Sequence, residues 1–204
     1  TSALAADYLA RKDTATHLVV GTGRVAWNLL LAYRAVRPIA KTFVWGRNEA
    51  KARRLAAAAS DLGLEAEAVT DIEAAARAAD AVSCATFSPD PLVRGDWLQP
   101  GAHLDLVGGY RPEVRETDDA AIRRASVFCD TLGGAPKAAG DLTQPLASGV
   151  LKLEEIVDLY GLVQGAHPGR RSDKEITLFK SVGASLEDFA AAVLVYEQVR
   201  KSKA

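Results

Sequence analysis

Short apolar runs alternate with segments of helical spacing, and a glycine-rich turn joins the first such pair. Together these predict an α/β fold: a doubly wound parallel-sheet domain with a C-terminal helical and strand appendage. The 204 residues suit one large domain, or one domain with a small addition. Residues 1–16 read as a lead-in helix and loop, 17–132 as the sheet domain, and 133–204 as a C-terminal extension.

Each element follows from local pattern. Leu4, Ala5, Tyr8 and Leu9 form a helical stripe, and the polar run from Arg11 to Thr16 a loop. His17 to Val20 is the first strand, closed by Gly21, and Val25 to Val36 is apolar at helical spacing. Thr42 to Trp45 is the second strand. Asn48 then caps a helix that reaches Leu62. Glu65 to Val69 alternates as a third strand, and Thr70 with Glu73 has the spacing of a capping box for a helix to Ala79. Ala81 to Phe87 is a fourth strand, His103 to Val107 a fifth, Asp118 to Arg124 a short helix and Val127 to Asp130 a sixth strand. Beyond Thr131, glycines break the chain into short pieces. A helix is predicted over Leu153 to Val163, a polar loop over 165–174, a last strand over Ile176 to Lys180 and a terminal helix over Leu186 to Arg200.

The turn reads Gly21-Thr22-Gly23-Arg24-Val25-Ala26, a GxGxxA pattern lying directly between a strand and a helix. That context makes it a Rossmann dinucleotide fingerprint. Gly21 permits the tight turn, Gly23 lets a pyrophosphate approach the backbone, and Ala26 lets helix and strand pack closely. The helix then presents free N–H groups to the phosphates. An NAD-selective domain ends its second strand with an acid that takes the ribose hydroxyls. Here the tip reads Gly46-Arg47-Asn48, with no acid. Arg47 can pair with a 2′-phosphate through its planar fork, and Asn48 can add a hydrogen bond. NADP(H) is therefore the predicted cofactor, with NAD(H) the alternative. Glu49 should point along its helix.

Composition narrows the remaining classes. A net charge of −1 argues against bulk nucleic-acid binding, which needs a basic face, and no apolar run is long enough for a membrane span. With no signal peptide, a cytoplasmic location is expected. Cys84 and Cys129 lie in strand-like runs and read as reduced core residues. Three scattered histidines and no CxxC argue against a metal site. His103 reads as the start of a strand and Asp141 as a loop brace.

Five segments, in order, resemble the ornithine cyclodeaminase/mu-crystallin family. They are Thr1 to Leu9, Asp96 to His103, Gly108 to Asp119, Ala139 to Leu142 and Ile176 to Gly183. The third is similar to the reductase-like branch. The resemblance implies hydride transfer at a carbon bonded to nitrogen, most simply reduction of cyclic imino acids of the pyrroline- or piperideine-2-carboxylate type. Ornithine cyclodeamination and NADPH-dependent binding of a small ligand without turnover are the alternatives. Tyr110 stands where the cyclodeaminases carry an acid after paired glycines, which favours a reductase. Val25 stands where the family often has Gln. By resemblance, Thr86, Phe87 and Ser88 lie beside the nicotinamide riboside, Val107 and Gly108 line the nicotinamide face, and Ser181 and Val182 close over it. Tyr110 and Val182 face the substrate, a small amino or imino acid. The family's catalytic lysine and carboxylate-binding arginines come from an N-terminal region not represented here. The resemblance thus implies a cofactor-binding portion, inactive alone, of a protein that is a homodimer at full length.

Overall fold

The computed structural model describes residues 1–202. Eight strands form one parallel sheet in the order β3-β2-β1-β4-β5-β8-β6-β7. They are β1 (Thr16–Val20), β2 (Lys41–Trp45), β3 (Ala66–Ala68), β4 (Ala81–Cys84), β5 (His103–Leu106), β6 (Ala125–Cys129), β7 (Val157–Asp158) and β8 (Ile176–Lys180). Two strands of the C-terminal extension, β7 and β8, thus join the same sheet, with β8 between β5 and β6. The register sets Trp45, Val20, Cys84, Leu106, Lys180, Cys129 and Asp158 in one row across the C-terminal edge. Strand order reverses between β1 and β4, so the loops after these strands diverge and leave a crevice, the position at which doubly wound sheets bind ligands.

Side-chain alternation divides the core between the two faces. Leu18, Val20, Val82, Cys84, Leu104, Leu106, Val127 and Leu178 pack with helices α4 (Ile72–Ala78), α5 (Asp119–Arg124) and α7 (Gly140–Ala147). The opposite face takes α1 (Ser2–Leu9), α2 (Arg24–Val36), α3 (Glu49–Asp61) and α8 (Leu159–Val163). Alanines at 52, 56 and 59 bring α3 close to Val19 and Val44. Helix α1 is pinned by buried Arg37, which donates to the carbonyls of Ala6 (2.6 Å) and Ala10 (3.0 Å) and to Asp7. The Ala10 carbonyl lies at the helix C-terminus, where carbonyls lack intrahelical partners, while that of Ala6 also accepts from Ala10 N at 2.9 Å.

Several boundaries move for identifiable reasons. Asp71, not Thr70, caps α4: its carboxylate accepts from Ala74 N at 3.0 Å, while Glu73 turns to Arg77. The fourth strand ends at Cys84, because Thr86 is drawn out of the ladder by a side-chain carboxylate. The helix predicted over 153–163 is three pieces: a 3₁₀ turn Leu153–Glu155, strand β7 and α8, the last capped by Asp158. Pairing of β7 with the edge of β6 outcompetes helical propensity there. The glycine-broken stretch holds α6 (Ala135–Ala138) and α7. The terminal helix α9 spans Ser185–Ser202. Among the described residues no helix is long and apolar enough to cross a membrane. Cys84 and Cys129 are buried free thiols. Burial pushes Cys84 well above its ordinary value and Cys129 to about 12.

Candidate dinucleotide site

The site grows from the row of strand ends. Gly21, directly after β1, has φ +137°, and a Cβ there would fall 2.6 Å from the Ala85 carbonyl oxygen. Glycine is therefore required by both conformation and space. Gly46 is constrained by space alone, its absent Cβ leaving room for the Thr22 methyl. Gly23 differs: nothing lies within 4 Å of its would-be Cβ. It caps α2, whose first N–H groups therefore face open space, an arrangement suited to a pyrophosphate.

Two crevices flank this turn. The first, about 280 Å³, is lined by Gly21, Thr22 and Gly23 of the loop, Gly46, Arg47 and Asn48 of the β2 tip, and Thr86, Phe87 and Ser88 after β4. The second, about 430 Å³, takes Arg24, Val25, Val107, Ser181 and Val182. Gly108 and Tyr110 line neither crevice. Gly108 is packed between strand ends, where a Cβ would meet the Thr86 carbonyl oxygen at 1.8 Å. Tyr110, half-exposed, stacks edge-on to Phe87 at 4.9 Å, with the Arg111 guanidinium over both rings.

Charge at the β2 tip is positive. Asn48 caps α3 by accepting from Lys51 N at 3.0 Å, which sets the Lys51 side chain on the same crevice as Arg47. Glu49 turns along the helix to Arg53 at 3.0 Å, as its position predicted. Among the described residues no carboxylate lies within ion-pair distance of Arg47 or Lys51. Lys51 was missed in the sequence, although three residues beyond a cap is where a side chain returns to the helix N-terminus.

Beneath the crevice floor lies a second group of residues, of which the sequence singled out only Asp141. Both oxygens of the Glu116 carboxylate are engaged: Oε1 accepts from Thr86 N and Oγ1, each at 2.7 Å, and Oε2 from Gly108 N (2.8 Å) and Gly109 N (3.3 Å). The ends of β4 and β5 are thereby tied by one side chain. Asp141, in α7, accepts from the backbone N–H of Glu116 (2.8 Å) and Thr117 (3.2 Å), the brace predicted for it. Lys180 at the end of β8 sets its ammonium 3.1 Å from Asp141 and 4.0 Å from Glu116. All three side chains are fully buried. Burial raises the Glu116 carboxyl above its ordinary value, with Lys180 opposing and Asp141 reinforcing. A lysine ending the otherwise apolar run Ile176-Thr177-Leu178-Phe179 was the available signal, since lysine is rarely buried unpaired. Asp130, after β6, similarly holds Val182 N (2.6 Å), Gly183 N (2.8 Å) and the Ser181 hydroxyl.

A third polar group lies deeper, under α1 and α2. Asp105 accepts from Ser2 Oγ (3.0 Å), Ser83 Oγ (3.1 Å) and Tyr33 OH (3.2 Å). Burial pushes Asp105 up to about 6, and lowers His17 and His103 to about 3. His17 stacks on the Tyr33 ring, and His103 contacts the Thr177 hydroxyl. The group touches no crevice-lining side chain except Ser2 and is structural.

Comparison with known proteins gives a consistent picture. The ornithine cyclodeaminase/mu-crystallin family model matches residues 1–203. A delta(1)-pyrroline-2-carboxylate reductase of Paracoccus denitrificans is 39% identical over 193 residues, 94% of this chain and 61% of that protein. The Thermococcus litoralis delta(1)-pyrroline-2-carboxylate reductase, solved with NADH and L-proline, superposes with TM-score 0.95 at 34% identity, over 99% of this chain and 63% of that one. An archaeal alanine dehydrogenase dimer with bound NAD gives TM-score 0.92 at 29% identity, covering 100% and 63%. The chain thus spans about three-fifths of the length of the relatives it matches.

Proposed function

This chain belongs to the ornithine cyclodeaminase/mu-crystallin family, and from that premise we propose that it is the cofactor-binding portion of an NADP(H)-preferring reductase of cyclic imino acids. The observation that carries the reading is the crevice at the switch point, with the glycine turn on one wall and two unpaired cations, Arg47 and Lys51, on the other. Bound there, a reduced nicotinamide supplies the hydride for a C=N bond. The chain's own part is to bind, orient and exclude water. Gly21, Thr22, Gly23 and the first turn of α2 take the pyrophosphate. Arg47, Asn48 and Lys51 take the adenosine end. Thr86, Phe87, Ser88, Val107 and Ser181 take the nicotinamide riboside, with Tyr110 and Val182 toward substrate, while Gly108 packs the strand ends behind them. Relatives solved with NAD or NADH establish the dinucleotide for those proteins. The preference for the 2′-phosphate is our inference from the charge at the β2 tip.

The substrate assignment rests on likeness to the pyrroline-2-carboxylate reductases and on Tyr110, which offers no carboxylate where the cyclodeaminase reaction calls for one. Catalytic groups and dimer contacts are assigned to the part of the relatives that these residues do not span. The test is an assay of a protein containing this chain together with that part, using pyrroline-2-carboxylate and NADPH. Oxidation of NADPH with formation of proline is expected. Proline formation from ornithine with catalytic NAD, and no turnover of the imine, would replace the proposal with a cyclodeaminase.

A further inference from the structure

The Glu116 cage has consequences beyond holding a loop. Three of its four contacts are backbone N–H groups of Thr86, Gly108 and Gly109, which can only donate and which reach both carboxylate oxygens, and the fourth is the Thr86 hydroxyl. A protonated carboxyl would aim its own hydrogen at one of them, so the cage suits the ionised form. Asp141 Oδ1 likewise meets only N–H groups, and its Oδ2 faces the Lys180 ammonium. Asp130 meets the N–H groups of Thr131, Val182 and Gly183 and the Ser181 hydroxyl. Two carboxylates, Glu116 and Asp141, therefore stand against the single buried ammonium of Lys180 at the ends of β4, β5 and β8, and Asp130 adds a further carboxylate at the end of β6. The excess is negative, lies behind a thin backbone wall, and is shielded from water.

A nicotinamide ring is neutral when reduced and positively charged when oxidised. A negative field at its site favours the oxidised ring, and favours equally the positive charge that grows as hydride leaves. We propose that Glu116, with Asp141 and Lys180 behind it, is a positioning residue that fixes the β4 and β5 strand ends and biases the site toward oxidised nicotinamide, making bound cofactor a stronger hydride donor. This rests on the placement of the nicotinamide over β4 and β5 given under Proposed function.

The test is calorimetric titration of this chain with NADP⁺, NADPH, NAD⁺ and NADH, for the native sequence, Glu116→Gln and Asp141→Asn. Each substitution removes one negative charge. Asp141→Asn keeps a carbonyl oxygen for the N–H groups of Glu116 and Thr117, and it serves if Glu116→Gln does not fold. Native affinity should favour the oxidised form relative to either variant. The ratio of oxidised to reduced affinity should fall by about threefold to tenfold in the variants, and tenfold corresponds to about 30 mV for a two-electron couple. A purely structural role would weaken both forms alike and leave the ratio unchanged, which would overturn the proposal. The ratio is independent of the adenosine end, where both forms are identical. An unchanged ratio together with a selective loss of NADPH binding in Arg47→Ala would sink this inference and leave the cofactor reading standing. Failure of every dinucleotide to bind the native chain would overturn both.

Discussion

At the residue scale, the glycines separate conformation from binding. Gly23 has open space where a side chain would project and an ordinary negative φ of −92°. Gly23→Ala should therefore leave the melting temperature within a few degrees while weakening every dinucleotide, because the added methyl occupies the phosphate approach. Gly108→Ala should do the reverse first: its Cβ would overlap the Thr86 backbone, forcing β4 and β5 apart, and the melting temperature should drop sharply. Equal effects of the two in thermal melts would contradict this division. Arg47 carries the selectivity prediction. A hydrogen bond to a charged group contributes roughly 1.5–3 kcal/mol. Exposure of Arg47 at the tip puts the effect near the lower end, about tenfold in affinity. Arg47→Ala should weaken NADPH by about tenfold and leave NADH nearly unchanged in calorimetric titration. Equal losses would mean that the guanidinium stacks on adenine instead. The glycine turn and the Arg47 tip were legible in the sequence because each is local: three or four consecutive residues whose chemistry follows from the turn they make. The cluster of Glu116, Asp141 and Lys180 was not, although Asp141 was expected to brace a loop, because the three lie 25 to 64 positions from one another in the chain and only the sheet register brings them together.

At the scale of elements, seven of the eight strands fall where the sequence predicted them, the buried ones from apolar runs and the edge strand β3 from alternation. The exception, β7, is two residues long and borrows its identity from β6. Its apolar residues also fit helical spacing, so no local pattern could distinguish the two. Helix α9 presents the opposite case. It was legible as a helix, but its sequence did not say what it packs against. None of its described residues is buried, and Leu186, Phe189, Leu194, Val195 and Tyr196 are each more than half exposed. An isolated helix of this length is marginal in water without a packed face. Limited proteolysis of this chain should cut within 185–202 before any site in the sheet, and removal of that segment should shift the melting midpoint by no more than a few degrees. First cleavage between β1 and β5, or a large loss of stability on truncation, would show that α9 supports the sheet.

For the whole molecule, the buried polar layer under α1 and α2 sets the response to acid. His17 and His103 are fully buried, and each has its pKa lowered from 6.5 to about 3. In the unfolded chain they take up protons near pH 6.5; in the folded chain they stay neutral until about pH 3. Across that interval the unfolded state binds more protons, so stability rises with pH. Their contribution is complete above pH 6.5 and is lost progressively as pH falls toward 3. Asp105 acts with the opposite sign. Its pKa is raised from 3.8 to about 6, so the folded state binds the extra proton between those values and stability falls as pH rises through them. Glu116, also raised by burial, acts in the same direction as Asp105, so the two carboxylates offset part of the histidine contribution, which covers the wider span from 6.5 down to about 3. Net stability should therefore fall steadily from pH 6.5 to pH 4, and the urea midpoint should follow. In His103→Gln one of the two histidine contributions is gone, and the amide can still bond the Thr177 hydroxyl. That variant should start less stable at pH 7 and lose less on acidification. Its urea midpoints between pH 4 and 7 should trace a shallower slope than those of the native chain. Parallel slopes would mean that His103 is protonated within the folded layer, and that the acid response is set by surface carboxylates such as Asp7 and Asp13, whose pKa values their arginine partners lower.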